Sequence, residues 1–221
     1  MTIATVLVVC TGNIRRSPAI EAFLRHGSAD VRGLGASGLT VASAGVRALA
    51  GEPMDDLIAR QLEAFGIDAS GHVARQLTAD QIESADLVVT CERHHRSEVV
   101  KLVPAAVQRA FTLRELAGLG EGVGRTALGG QGVDAAARLR ELVRLAKLER
   151  ARRIVRRPSD DDLADLTRSN ERAARKLVTE ARVSVEALLR LVEPEPNLSI
   201  VNRPASAQPS AEGEAKHLSA G

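Results

Sequence analysis

Val6-Leu7-Val8-Val9-Cys10-Thr11-Gly12-Asn13-Ile14-Arg15-Arg16-Ser17-Pro18 reads as a strand, a loop and the opening of a helix. The aliphatic run through Val9 is continuous, as in a strand buried on both faces. Small and polar residues follow, and Pro18 falls where a first-turn proline is tolerated. Five residues separate Cys10 from Arg16, enough for the loop to curl with its N–H groups inward around one tetrahedral anion. The helix that follows adds unpaired N–H groups and the positive end of its dipole at the same point. A thiol in that field has its pKa lowered to roughly 3.5–7.5 and is largely thiolate near neutral pH. Arg16 offers a planar fork for two phosphoryl oxygens. Cys10 and Arg16 are therefore read as catalytic, and Thr11, Gly12, Asn13, Ile14, Arg15 and Ser17 as substrate-binding.

Cys10, Gly12, Asn13, Arg16, Ser17 and Pro18 after a first strand resemble the active-site loop of the low-molecular-weight protein tyrosine phosphatases. The resemblance implies a phosphocysteine formed on Cys10, a strained loop held by Asn13, and a hydrogen bond from Ser17 to the thiolate. It also implies a four-stranded parallel sheet of order 2-1-3-4, doubly wound, in an α/β fold. Many members carry a second cysteine where this chain has Arg15, so the protective disulfide they form with it is impossible here, and Arg15 adds positive charge to the rim. Ser43-Ala44-Gly45 resembles the turn that supports the family's loop, with Ser43 as a supporting hydrogen-bond partner. His72, in Gly71 to Thr78, is expected to orient Asn13 or its neighbours.

The remaining elements follow from periodicity. Helical spacing is expected from about Ser17 to Gly27 or Ser28, from Pro53 to Phe65, from Glu92 to Leu102, from Val133 to about Arg153 and from about Ser169 to Val192. Leu39 to Ser43, Asp86 to Thr90 and Arg109 to Leu113 read as strands. Strands alternating with helices argue for a parallel sheet with its ligand at the carboxyl ends of the strands. Gly118 to Gly132 reads as a flexible loop, since it lacks the endings of nucleotide-binding motifs, and the basic stretch Arg150 to Arg157 as a solvated helix end. The unit is expected to span residues 1–192, enlarged at about 118–158, with 193–221 a disordered tail.

Phosphoryl transfer to a thiolate needs a proton for the leaving oxygen. The family places this acid in an Asp-Pro-aromatic loop before the last helix, which by position is Asp165 here. Leu166 stands in place of the proline and Thr167 in place of the aromatic; Asp161 and Asp162 are possible substitutes, and the acidic cluster can equally serve as a helix N-cap.

Composition narrows the alternatives. At 221 residues with three Phe and no Trp or Tyr, one aliphatic core is expected. A net charge of +2 makes no global case for nucleic acid, and no apolar run reaches the length of a membrane span. The only cysteines, Cys10 and Cys91, exclude a disulfide framework and fit a reducing, cytoplasmic setting. Cys91, His94 and His95 lack four metal ligands at recognisable spacing, so neither a metal nor another cofactor is expected. The substrates expected are phosphorylated proteins, phosphotyrosine first, or small phosphomonoesters. Polar Thr11 keeps a protein-arginine phosphatase open, the altered acid loop permits a phosphate-binding regulatory module, and Cys91 alone cannot supply the relay of an arsenate reductase.

Overall fold

The computed structural model describes residues 3–30, 38–130, 132–154, 157–163, 165 and 170–193. The expectations for Leu166, Thr167 and the tail beyond residue 193 lie outside them.

The strands β1 (Ala4–Cys10), β2 (Leu39–Gly45), β3 (Leu87–Thr90) and β4 (Ala110–Thr112) form one parallel sheet of order β2-β1-β3-β4. The fold is α/β, as expected, with β1 central. Every residue of β1 except Thr5 is buried, because helices cover both faces. Val6, Val8, Cys10, Leu87, Val89 and Phe111 face a large core with α1 (Arg16–Asp30), α2 (Asp56–Glu63), α5 (Leu113–Val123), α6 (Ala135–Arg152) and α7 (Glu171–Val192). Leu7, Val9, Val88 and Ala110 face a smaller core completed by α3 (Ala79–Glu83) and α4 (Arg93–Leu102).

Capping sets the boundaries. Asn170 caps α7 with a side chain that accepts from the Ala173 amide at 2.9 Å, so that helix starts two residues later than expected and the Asp160 to Asp165 cluster is not its N-cap. Thr112 and Glu115 form a capping box that launches α5 directly from β4.

Three expectations need correction. Residues 118–123 belong to α5 and 125–128 to a 3₁₀ turn, not to a flexible loop. Gly120 is buried in α5 under the Leu191 side chain of α7, whose end would have to shift to admit a methyl group there. Second, the basic helix end is not simply solvated. Arg150 pairs with buried Glu115 at 2.8 Å and lies 3.9 Å over the Phe111 ring, and Arg153 reaches Asp161 at 2.7 Å. Arg150 thus fastens α6 to β4 and α5, and Arg153 fastens its end to the 3₁₀ turn Pro158–Asp161. Third, the helix expected from Pro53 to Phe65 is the shorter α2, Asp56–Glu63, and Phe65 beyond it is 39% exposed, edge-on to Phe23 and beneath Arg182.

At the carboxyl end of β2, Gly45 abuts the loop that follows β1. A methyl group there would fall on the Thr11 carbonyl oxygen and lie 3.0 Å from the Asn13 nitrogen, both backbone atoms that cannot rotate away. Gly45→Ala is therefore expected to displace the loop, lowering Tm by an amount equivalent to about 1–3 kcal/mol and kcat/KM by about a hundredfold, as for a misplacement of about 1 Å; thermal melts and steady-state kinetics check both.

Candidate active site

The loop between β1 and α1 is shaped by where its carbonyl groups go. Those of Cys10, Thr11, Gly12 and Ile14 accept from the amides of Val46, Arg47, Leu49 and Asp55 at 2.9–3.0 Å, and that of Asn13 accepts from His72 Nε2 at 2.7 Å. All five point outward. Because a peptide's N–H opposes its C=O, the amides of residues 11–15 turn to the inside. One of them, from Asn13, reaches Cys10 Sγ at 3.3 Å, so the sulfur sits at the focus of the curl. Asn13 adopts φ 57°, the one positive φ outside glycine among the described residues. Such strain persists only where the surroundings over-determine it.

They do so here through a chain of hydrogen bonds with a single sense. The Arg75 amide donates to Asn13 Oδ1 at 2.8 Å, and Asn13 Nδ2 donates to Ser17 Oγ at 2.9 Å and Ser43 Oγ at 2.8 Å. Ser43 donates onward to buried Glu21 at 2.6 Å. Ser17, with its oxygen occupied by Asn13, gives its proton to Cys10 Sγ at 2.9 Å when the sulfur is a thiolate. Asn13, Ser17, Ser43 and His72 are thus all hydrogen-bonded to one another or to the loop.

The Cys10 thiol is lowered from its ordinary value to about 6. A side-chain hydrogen bond from Cys91 is the largest cause, opposed by burial and reinforced by Ser17 and the positive charge of Arg16. Burial, together with the neighbouring Cys10, pushes the Cys91 thiol well up, so Cys91 keeps its proton and acts as the donor.

Arg16 is 2% exposed and is held from several sides. Its Nη1 meets Glu92 Oε1 at 2.9 Å and the Leu163 carbonyl at 3.3 Å, and its Nη2 meets Asp165 Oδ2 at 3.0 Å. Asp165 is thus the acidic residue of its cluster that reaches the loop. Asp161 pairs with Arg153, and Asp162 accepts from the amide and guanidinium of Arg93, so neither faces the sulfur. Arg15 is tied to Asp55 at 2.7 Å, which spends much of the charge it was expected to lend the rim.

Glu92 and Glu21 were not singled out from sequence, and His95 was weighed there only as a metal ligand. Glu92 and His95 follow the carboxyl end of β3, beside β1, where a doubly wound sheet collects its ligand contacts; that position was the available signal. His95 is fully buried, and burial followed by the charges of His94, Arg16 and Arg47 lowers its pKa to about 3, so it is neutral. Its Nδ1 accepts from the Glu92 amide at 3.2 Å, which leaves the proton on Nε2 to donate to Thr11 Oγ1 at 2.8 Å. The ligand atoms of Glu92, His94 and His95 lie within 4.8 Å of one another. Their donors are committed, however: Glu92 to Arg16 and His94, and His95 to Thr11 and the Glu92 amide.

Comparison with known proteins agrees with this geometry. The family model described as "Low molecular weight phosphotyrosine protein phosphatase" matches residues 5–121. The probable low molecular weight protein-tyrosine-phosphatase EpsP of Ralstonia nicotianae is 38% identical over 114 residues, 52% of this chain and 73% of that protein. Etp of Escherichia coli, a protein of the same description, is 37% identical over 100 residues, 45% of this chain and 62% of its own length. Among solved structures, the tyrosine phosphatase AmsI of Erwinia amylovora superposes with TM-score 0.58 at 20% identity, covering 86% of this chain and 93% of the other. The YwlE arginine phosphatase from Geobacillus stearothermophilus gives TM-score 0.58 at 22% identity over 92% and 99%. These superpositions speak to the fold alone. Since the family model takes in more than half of the sequence, including the loop around Cys10, the chain belongs to the low molecular weight phosphotyrosine protein phosphatase family.

Proposed function

We propose that residues 1–192 hydrolyse phosphotyrosine in proteins through a phosphocysteine on Cys10, with Arg16 and the loop amides binding the phosphoryl group and Asp165 serving as acid and then base. One observation carries this reading: Cys10 Sγ lies at the focus of a loop whose carbonyls all face out, with Arg16 and Asp165 paired at its edge. An incoming phosphoryl dianion takes the Arg16 fork in place of the Asp165 carboxylate. Released from that pairing, Asp165 is the carboxyl group left at the edge of the loop to serve as general acid. The thiolate attacks phosphorus, the P–O bond to the leaving group breaks, and Asp165 delivers its proton to that oxygen. Water, deprotonated by the same carboxylate, then displaces sulfur and releases inorganic phosphate.

Family relatives named as protein-tyrosine phosphatases support the choice of substrate. So does Leu49, which is 51% exposed with its side chain over Gly12 at the rim, an apolar surface on which a phenyl ring can rest. A second reading, phosphoarginine, is favoured by Thr11, whose hydroxyl is fixed by neutral His95 and offers a polar wall to a guanidinium N–H. Peptides carrying each modification separate the two. A thiolate nucleophile supports a reducing, cytoplasmic setting, and among the described residues no helix is long and apolar enough to cross a membrane.

Cys10→Ser should abolish hydrolysis of p-nitrophenyl phosphate while phosphate or vanadate binding, read by calorimetry, survives; retained turnover would exclude Cys10 as nucleophile. Asp165→Asn should cost roughly 10²–10⁴-fold in kcat, and an unchanged rate would assign the acid elsewhere; no turnover in the native chain would instead favour a phosphate-binding module. With the Cys10 pKa at about 6, the thiolate predominates above that pH and is lost below it. Inactivation by iodoacetate should therefore be half-maximal near pH 6, whereas a midpoint near 9 would show an unactivated thiol.

A further inference from the structure

Cys91 lies outside the phosphoryl-transfer steps, yet it faces the nucleophile. β1 and β3 are parallel with Val9 opposite Thr90, and the Cys91 amide extends that register by donating to the Val9 carbonyl at 3.0 Å. Cys10 and Cys91 are thus lateral neighbours at the ends of adjacent strands. Adjacent strands lie about 4.8 Å apart, within the span of about 4.4–6.8 Å between Cα atoms that a disulfide bridges. Both side chains emerge on the same face of the sheet, in line with Val8 and Val89, and both are free thiols in one buried cluster. The far side of Cys91 is also pinned, because its carbonyl accepts from the Leu163 amide at 2.7 Å.

We propose that Cys91 is the resolving thiol of a covalent modification site, capturing peroxide-oxidised Cys10 as a Cys10–Cys91 disulfide that is reopened by a dithiol. The inference rests on Cys10 being the thiolate nucleophile. In the first step the Cys10 thiolate attacks one oxygen of hydrogen peroxide; the O–O bond breaks, Cys10 becomes a sulfenic acid, and the departing hydroxide takes up a proton to become water. In the second, Cys91 sulfur attacks Cys10 sulfur, the S–O bond breaks, and the Cys91 proton leaves with the hydroxyl as a second water. Two thiols lose two electrons and two protons, and one peroxide accepts them. A dithiol reverses the change by exchange and is itself oxidised to a disulfide.

The order of events follows from the electrostatics. While Cys10 is an anion, its charge and its hydrogen bond help keep the Cys91 proton in place. Conversion of Cys10 to a neutral sulfenic acid removes both of these restraints, leaving burial as the main one, with Arg16 opposing it. Oxidation of Cys10 thereby makes it easier for its neighbour Cys91 to give up its proton.

The test oxidises the full-length protein with hydrogen peroxide, blocks free thiols, and maps peptides by mass spectrometry without reduction. A linked pair of peptides containing Cys10 and Cys91, with activity on p-nitrophenyl phosphate restored by dithiothreitol, is the expected result. Cys91→Ala and Cys91→Ser, each compared with its own activity before oxidation, should recover about tenfold less of it, their Cys10 having advanced to irreversible sulfinic acid. Wild-type protein in which Cys10 becomes sulfinic acid with no link to Cys91 would overturn the proposal, and this readout does not depend on how the variants fold. Failure of the underlying reading looks different: the reduced protein itself then neither turns over substrate nor takes up iodoacetate at neutral pH.

Discussion

A peptide carbonyl cannot turn outward without turning the next amide inward, and from Cys10 to Ile14 the chain is obliged to make that choice five times. Each outward carbonyl finds a partner on the 46–55 segment or on His72, so no acceptor is left to oppose an anion at the centre. The arrangement needs β2 and the segments after it to lie against the loop, and Gly45 lets them do so at backbone contact. Asn13, at positive φ, is the hinge of the curl, and its side chain is bonded to three separate parts of the chain. Sulfur at the focus is consequently an anion site before any substrate arrives. Preorganised donors of this kind require no rearrangement as charge develops on the phosphoryl oxygens.

Arg16 carries the opposite charge, and the structure guards it closely. Glu92 and Asp165 share it, but unequally in burial: the Glu92 side chain is 18% exposed and that of Asp165 52%. Glu92 also holds His94 and, through its amide, His95, so it behaves as a fixed anchor for the guanidinium. The exposed carboxylate is the one an anionic substrate can displace. One ion pair is thus buried and fixed, and the other lies at the solvent-facing edge of the guanidinium.

Within the segment from 118 to 158, α6 is bound in from both ends. Arg140 reaches Asp86 and the Ile3 carbonyl, while Arg150 covers the outer edge of β4 through the Ala110 carbonyl and meets Glu115. Arg153 fixes Asp161. From Asp161 the chain passes Leu163, hydrogen-bonded to the Cys91 carbonyl, to Asp165. The longer segment therefore brings Asp165 to Arg16 through a series of anchored residues, and its arginines act as ties between elements.

Much of this protein is written locally. The aliphatic run into Cys10, the small residues of the loop and the proline after Arg16 specify strand, turn and helix with neighbours only a few residues away, and the alternation of strands and helices implies the parallel sheet. Cys10, Arg16 and the loop-supporting serines are legible for the same reason. What no local pattern records is which distant residues meet at the strand ends. The choice of Asp165 over Asp161 and Asp162, the roles of Glu92 and His95, and the contact of Cys91 with Cys10 arise because β3 lies beside β1 and the chain before α7 returns across both. The glycines of α5 and the arginines of α6 were misread on the same ground: exposure and flexibility depend on what packs against a residue, and only the tertiary structure brings Leu191 onto Gly120 or Glu115 onto Arg150.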